Sequence, residues 1–162
     1  MDLDQPVYLR KFKMKISKKI IYAIESVIDI AFYSGVNPVQ NYDIAKRQGI
    51  PKRYLEQTLQ ILVKNNILVG SRGPKGGYRL AKERRKIKIS DIIKSVKDKE
   101  VDIGGNYFHN SELSKKLIKP LFDEAFSTWI NYLTKLSIDD VCNQALKKGI
   151  IKQNKEKTDF VI

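Results

Sequence analysis

Residues 71–80 read SRGPKGGYRL, and three glycines and a proline among ten residues indicate a tight turn. The apolar run Ile67-Leu68-Val69 precedes the turn and Tyr78-Arg79-Leu80 follows it, so we expect two short strands joined as a β-hairpin. The fold is organised around this hairpin, because the segment immediately before it has the pattern of two helices separated by a glycine.

The first of these helices is expected from Tyr42 to Arg47, with Asn41 as its cap. Gly49 then stands where a positive φ is needed, and Pro51 suits the first turn of the next helix, where a missing N–H costs little. That second helix should bury Leu55, Leu59 and Leu62 and expose Lys52, Arg53, Glu56, Gln57 and Gln60.

Further helices are predicted on both sides of this segment. Ser17 can cap a first helix that ends near Gly35, Ser90 a short helix after the hairpin, and Ser137 a last one. The longest apolar pattern lies between the last two, and Pro120 must either start or kink its helix. This stripe comprises Ile118, Phe122, Phe126, Trp129, Leu133 and Leu136, flanked by Leu117, Leu121, Ala125 and Ile130.

The predicted fold class is therefore mainly α with a small β-hairpin wing after a helix-turn-helix, followed by a long C-terminal helix. We expect an irregular extension at 1–13, a DNA-binding domain at 14–97 and a loop at 98–111. The long helix and the short terminal helix should occupy 112–146, and a polar tail 147–162.

The net charge of +13 in 162 residues indicates an anionic partner. Residues 1–100 hold 22 Lys and Arg against 10 Asp and Glu, whereas residues 101–162 hold 9 against 8. A membrane surface is the weaker candidate, because Glu25 and Asp29 interrupt the apolar run from Ile20 to Phe32 and no cleavage site follows it. We therefore expect nucleic acid as partner and no membrane, and a single cysteine fits a cytoplasmic protein.

A helix with a polar outer face after a short helix and a turn suits the DNA major groove, where outward side chains meet base edges. Arg72, Lys75 and Arg79 of the hairpin suit phosphate contacts or insertion into a narrow minor groove. The alternatives are a helical bundle packed for structural reasons and a glycine-rich turn with solvated charges. A nucleotide-binding loop is disfavoured because the GxxxxGK[ST] spacing is absent.

Four segments carry a resemblance to a known family: MKIS at 14–17, YLEQTLQIL at 54–62, SRGPKGGYRLA at 71–81 and IKISDIIKSV at 87–96. They resemble the winged helix-turn-helix regulators that include the iron–sulfur cluster regulator, the nitric-oxide-sensing repressor and the cysteine-metabolism repressor of bacteria. The resemblance runs from Met14 to about Val141. Because these proteins usually begin with a segment like Met14-Lys15, residues 1–13 are an extension or translation starts at Met14.

The resemblance implies a homodimer, joined by the long helix, that binds double-stranded DNA at a pseudo-palindromic operator, typically as a repressor. It also places Tyr54, Glu56, Gln57 and Arg72 where the family contacts DNA. The complete expected DNA interface is Lys52, Arg53, Tyr54, Glu56, Gln57, Ser71, Arg72, Lys75 and Gly76, and the expected dimerisation residues are Phe122, Phe126, Trp129 and Leu133.

The sequence departs from the family at the metal ligands. Many members hold an iron–sulfur cluster through three cysteines before the long helix, but the corresponding residues, roughly 104–119, offer only His109. One imidazole cannot replace several thiolates, so we expect no metal and no cofactor. Ligands pooled from His109 and Cys142 of two subunits are the minor alternative, and a small-molecule effector in the loop at 98–111 stays open.

Cys142 is expected to be a small buried hydrophobe, since nearby Asp139 and Asp140 would raise a thiol pKa and disfavour a redox sensor. An enzyme is not expected, because one histidine, one cysteine and no paired carboxylate motif leave no catalytic constellation. The remaining alternative function is a winged-helix module that binds proteins and has no operator of its own.

Overall fold

A computed structural model describes residues 16–96 and 108–150, so the expectations for 1–13, most of 98–111 and 151–162 lie outside it. The described residues form a mainly helical structure with one two-stranded antiparallel sheet, which confirms the predicted fold class. The helices are α1 (Lys18–Tyr33), α2 (Asn41–Gln48), α3 (Lys52–Lys64), α4 (Ile89–Val96), α5 (Lys119–Thr134) and α6 (Ile138–Lys147). The strands are β1 (Leu68–Ser71) and β2 (Gly77–Leu80), a 3-10 turn spans Arg84–Lys86, and a π-helical turn spans Ser114–Ile118.

Two of the predicted caps are confirmed. The Ser17 hydroxyl accepts a hydrogen bond from the Ile20 N–H at 3.4 Å, and Ser137 forms a capping box with Asp140 at the start of α6. Pro120 lies in the first turn of α5, but the helical conformation already runs through the π-helical turn Ser114–Ile118, since Leu113, Ile118 and Lys119 are all right-handed helical. Pro120 therefore does not start the helical run, and the π-helical turn stands directly before it.

Two other predicted caps are wrong. Asn41 is the first residue of α2, whose cap is Gln40, and no described side chain caps it. Ser90 lies inside α4, which begins one residue earlier at Ile89. The side chain that satisfies this helix start is Asp91, whose carboxylate accepts the Lys88 N–H at 3.0 Å.

The first strand begins one residue later than predicted. Asn66 adopts a left-handed φ of 57°, and the Ile67 N–H donates to the Leu62 carbonyl at 3.0 Å. Ile67 therefore completes the end of α3, and the hairpin pairs Leu68 with Leu80 and Ser71 with Gly77. Val39 adds a single bridge to Tyr78 on the other edge of β2, through N–H to carbonyl bonds of 2.9 and 2.8 Å.

One apolar core joins the N-terminal helices to the end of the chain. Ile30 of α1, Leu59 of α3 and Ile92 of α4 are fully buried in it, and so are Ile138 and Cys142 of α6. We call this unit, residues 16–96 together with α6, the head. Because α6 packs into the head, the end of α5 is attached directly to it.

Candidate nucleic-acid interface

Gly49 sets the angle between α2 and α3. Its φ of 65° lies in the left-handed region, as expected. The Ile50 N–H then donates to the Ala45 carbonyl at 3.2 Å, which closes the turn against the end of α2. A residue with a side chain would be strained at Gly49, so this glycine fixes how α3 leaves the turn.

The two faces of α3 differ as predicted. Leu55, Leu59 and Leu62 have no exposed area, so the helix is anchored along its whole length. All of the side chains expected to contact DNA from this helix are exposed on the outer face, and Tyr54 leaves 61% of its surface free. These side chains are Lys52, Arg53, Tyr54, Glu56 and Gln57.

The hairpin needs its glycines for its own geometry. Gly76 donates its N–H to the Gly73 carbonyl at 2.9 Å, and a Cβ on Gly76 would meet the Ser71 carbonyl oxygen and stand 2.9 Å from the Arg72 carbonyl carbon. Gly77 has a φ of 148°, and a Cβ there would run into the backbone of Val39. A contact of Gly76 with DNA stays a prediction, but its place in the turn is already required by packing.

The hairpin is fastened to the start of α2. The Gln40 side-chain amide donates to the Pro74 carbonyl at 3.2 Å, beside the bridge between Val39 and Tyr78. Burial, reinforced by the Glu56 carboxylate of α3, raises the pKa of the Tyr78 phenol. Tyr78 of the hairpin is therefore a half-buried residue that packs against the core near Glu56 of α3.

A cleft of about 600 Å³ opens between α3 and the hairpin. Gln60 and Lys64 of α3 line one wall, and Ser71 and Arg72 of the hairpin line the other. The expected site residues Ser71, Arg72 and Lys75 are all exposed. The structure thus brings the C-terminal half of α3, through Gln60 and Lys64, and the basic hairpin to the two sides of one cleft, which we call the hairpin cleft. Of the expected DNA contacts, Ser71, Arg72 and Gly76 of the hairpin are among the described residues that line it, whereas the five on α3 are not.

Arg79 has a different role from the other two basic hairpin residues. Its guanidinium donates to the carbonyl oxygens of Gly35, at 3.2 Å, and of Val36. It therefore ties β2 to the loop that follows α1. Phosphate contact, which the sequence suggested for all three residues, is supported by position only for Arg72 and Lys75.

The sequence analysis missed a polar lock between α1 and α2. The carboxylate of Asp29 is fully buried and accepts two hydrogen bonds from the Arg47 guanidinium, at 2.9 and 2.8 Å, and one from the Gln48 amide at 2.7 Å. The hydrogen bond to Asp29 raises the pKa of Arg47, and its guanidinium lies 4.1 Å from the ring centre of Tyr33. The available signal was Asp29 itself, an acid within an apolar helix stripe.

The C-terminal helix α5 has two apolar faces. Trp129 and Leu133, expected at the dimer interface, pack partly buried against the head of their own chain, and Phe126 lies against Trp129 at 5.5 Å between ring centres. Phe122 is 47% exposed and its ring lies 5.6 Å from that of Phe108. Any contact of these four residues with a second copy stays a prediction.

The other apolar face of α5 and of the turn before it points to solvent. Its members are more than half exposed, and we call them the α5 stripe: Leu113, Leu117, Leu121 and Tyr132. The sequence analysis had placed Leu117 and Leu121 at the edge of the dimer interface, whereas the exposure of these leucines puts them at the centre of the free apolar surface.

No helix in the described ranges, 16–96 and 108–150, is long and apolar enough to cross a membrane.

A scan of family models matches Rrf2, described as iron-dependent transcriptional regulator, over residues 16–144. The HTH-type transcriptional regulator IscR of Yersinia pseudotuberculosis is 33% identical over 153 residues, 88% of each chain. IscR of Vibrio campbellii is 43% identical over 89 residues, so this match spans 52%, about half, of that relative's length and 55% of this chain.

Solved structures agree with the fold. The structure of T. potens IscR superposes with a TM-score of 0.68 at 29% identity, covering 88% of this chain and 96% of that one. CymR of B. subtilis, titled the global cysteine regulator, gives a TM-score of 0.63 at 24% identity, with 82% and 98% covered. The second likeness concerns the fold alone.

The iron implied by the family description does not fit the residues of this chain. The sequence contains one cysteine and one histidine, and the described residues include no group of three or more His, Cys, Asp or Glu side chains that could hold a metal ion. Cys142 is completely buried in the head, and burial raises the pKa of its thiol, which disfavours the thiolate that a metal requires. Cys142 is thus the buried hydrophobe that the sequence predicted.

Proposed function

Since this chain belongs to the Rrf2 family of transcriptional regulators, we propose that it binds specific sequences of double-stranded DNA as a homodimer. The observation that carries the proposal is the hairpin cleft, where Gln60 and Lys64, at the C-terminal end of the exposed face of α3, stand opposite Arg72 of the basic hairpin. A helix flanked by a basic hairpin can enter the major groove while the hairpin reaches the adjoining backbone.

In this arrangement Glu56 and Gln57 read bases. A glutamate can accept a hydrogen bond from a cytosine amino group, and a glutamine can bond adenine in a bidentate manner. Each such contact contributes about 1–3 kcal/mol of discrimination. The remaining proposed contacts are with the sugar–phosphate backbone of the DNA. They come from Lys52, Arg53, Tyr54, Ser71, Arg72, Lys75 and the N–H of Gly76.

The α5 stripe supports the homodimer. Leucines that are 51%, 54% and 63% exposed on one helix face are unfavourable in water, and covering them with a second copy lowers the free energy. A two-fold dimer presents two heads related by the same symmetry, so the operator is pseudo-palindromic. The proposal of repression rests on the family resemblance. A small-molecule effector that binds near residues 98–111 is the proposed signal.

The alternative function, a module that binds proteins, is favoured by one observation. Tyr54 is an exposed aromatic side chain on the outer face of α3, and exposed tyrosines often anchor protein interfaces. Its neighbours on that face are charged or amide side chains, which suit DNA better.

Selection of bound fragments from a random duplex library with the purified protein tests the proposal. A two-fold symmetric consensus is expected, and enrichment of no sequence would contradict it. Gln57→Ala should relax the preference at one base position while leaving affinity for unselected DNA nearly unchanged. Gln144→Ala, on the exposed surface of α6, is the matched control and should leave the consensus intact.

Arg72→Ala tests the hairpin. Because the homodimer carries two copies of Arg72, loss of one phosphate contact in each subunit should flatten the plot of log affinity against log salt concentration by roughly 1.8, about 0.9 for each contact. An unchanged slope would show that Arg72 does not touch a phosphate.

A further inference from the structure

A second cleft borders α3 on the side away from the hairpin. It lies between α3 and the beginning of α1 and has a volume of about 670 Å³. Lys18 and Lys19 of α1 line one wall, and Gln57, Gln60 and Lys64 of α3 line the other. No acidic side chain is among the described residues that line it. We call it the α1 cleft.

The two clefts together make α3 a ridge between two basic channels. Gln60 and Lys64 line both of them, so only the width of α3 separates the channels. Arg72 and Lys64 supply the positive charge in the hairpin cleft, and Lys18, Lys19 and Lys64 supply it in the α1 cleft.

A helix inserted in the major groove meets the same pattern in DNA. The groove is about 12 Å wide and is bordered on each side by one sugar–phosphate backbone. A ridge that reads bases therefore needs a positively charged channel on each side, one for each strand.

We propose that the α1 cleft seats the phosphodiester backbone of the DNA strand opposite to the one at the hairpin cleft, with Lys18 as its main phosphate contact. Lys18 is exposed, whereas Lys19 is half-buried. Ser17 accepts the Ile20 N–H at the end of the same cleft, so the position of Lys18 is fixed by the capped start of α1. This inference rests on the proposed DNA-binding function.

Lys18→Gln is the direct test, with Lys147→Gln on the exposed surface of α6 as the matched control. The measurement is the affinity for a fluorescein-labelled duplex carrying the selected consensus, across a series of salt concentrations. The homodimer carries two copies of Lys18, so Lys18→Gln should flatten the plot of log affinity against log salt concentration by about 1.8, roughly 0.9 for each lost contact. The loss of affinity between 50 and 200 mM salt then becomes about 12-fold smaller. The base preference should not change, and Lys147→Gln should behave as the unmodified protein.

Duplexes with neutral methylphosphonate linkages, placed in one strand of one half-site at a time, assign the strand, because the two-fold symmetry makes the two strands of the whole operator equivalent. Within that half-site, neutral linkages that weaken the unmodified protein should have no further effect on Lys18→Gln in one strand and on Arg72→Ala in the other. An unchanged salt slope for Lys18→Gln, or loss of sensitivity of both variants to the same strand of that half-site, would overturn the inference. If the unmodified protein itself selects no sequence, the proposed function fails instead, and the two failures are distinct.

Discussion

Helices α1 and α5 both contain 16 residues and both carry apolar side chains at helical spacing, yet their surroundings differ. In α1, Ile20, Val27 and Ile30 are buried, and α2, α3, α4 and α6 all pack around the helix. In α5, no residue is fully buried within the part of the chain that the structure describes. The comparison teaches that periodicity predicts a face that packs, but not the partner that covers it.

The difference is sharpest along α5 itself. Its second half contacts the head through Trp129 and Leu133. Leu117, in the turn before α5, and Leu121, in its first turn, are both more than half exposed to solvent. The head supplies a partner for the first group, whereas within residues 16–96 and 108–150 the second group stays more than half exposed.

The largest expected effect is on the α5 stripe. Leu117→Asp combined with Leu121→Asp should convert a dimer to a monomer, because the two copies together lose the burial of four leucines. Each leucine is about half exposed in the single chain, so its burial in the dimer contributes about half of the 1.5–3 kcal/mol of a fully buried side chain. The free energy of dimerisation should therefore weaken by about 3–6 kcal/mol, as measured by sedimentation equilibrium. Circular dichroism should show that the head stays folded.

The matched control places the same two charges elsewhere on α5. Ser127→Asp combined with Asn131→Asp alters exposed polar positions of the same helix, and its sedimentation should be that of the unmodified protein. Equal masses for both double variants would mean that the stripe has no partner, and the contrast between α1 and α5 would lose its explanation.

Sequence reasoning predicted the head well because its information is local. The turn at Gly49, the buried leucines of α3 and the glycines of the hairpin each follow from backbone conformation or helical period. The lock between Asp29 and Arg47 was out of reach because it joins residues 18 positions apart, and a period in the sequence does not identify such a pair.

The same limit applied to α5 and α1. The sequence predicted that Trp129 and Leu121 lie near one apolar surface, but which of them contacts the head depends on how α6 docks. The α1 cleft likewise depends on tertiary packing, because Lys18 of α1 and Lys64 of α3 line it from two different helices.

The second prediction concerns the buried apolar side chains of α1, in contrast to the exposed ones of the α5 stripe. Ile30→Ala should lower the free energy of unfolding by about 4 kcal/mol, because a fully buried isoleucine leaves both lost burial and a cavity. Ile21→Ala in the same helix, where the side chain is 39% exposed, should cost much less. Urea denaturation monitored by circular dichroism measures both, and similar losses would argue against the position of α1 at the centre of the head.

The third prediction asks whether polar contacts also hold α1 in place. Arg47→Met should destabilise the head by about 3 kcal/mol, since it leaves the buried carboxylate of Asp29 with only the Gln48 amide. Combining it with Asp29→Leu removes the stranded charge and should recover a large part of the loss. Thermal denaturation of both variants is the measurement. A double variant less stable than Arg47→Met would mean that the Asp29–Arg47 pair contributes more free energy than the burial of its charges costs.

The smallest effect is expected at the start of α6, the joint where the end of α5 is connected to the head. Ser137 begins α6, its hydroxyl accepts the Asp140 N–H at 3.1 Å, and the Asp140 carboxylate accepts the Ser137 N–H at 2.9 Å. Ser137→Ala should therefore cost about 1 kcal/mol of stability in urea denaturation at pH 7. A loss near zero would mean that the docking of α6 by Ile138 and Cys142 fixes the joint without the cap.

The same cap has a pH dependence with a definite sign. Hydrogen bonds from the Ser137 side chain and backbone, with a smaller contribution from Lys88, lower the pKa of Asp140. The stabilisation by its carboxylate is thus complete above the unfolded-state pKa of about 3.9 and is lost as the pH falls through the lowered pKa of the folded state. The difference in Tm between the unmodified protein and Asp140→Asn should accordingly be present at pH 7 and shrink below about pH 4. Asp139→Asn, which removes a carboxylate that bonds Asn143 and not Ser137, is the control, and an Asp140→Asn difference that grows in acid would contradict the role of the carboxylate at the joint.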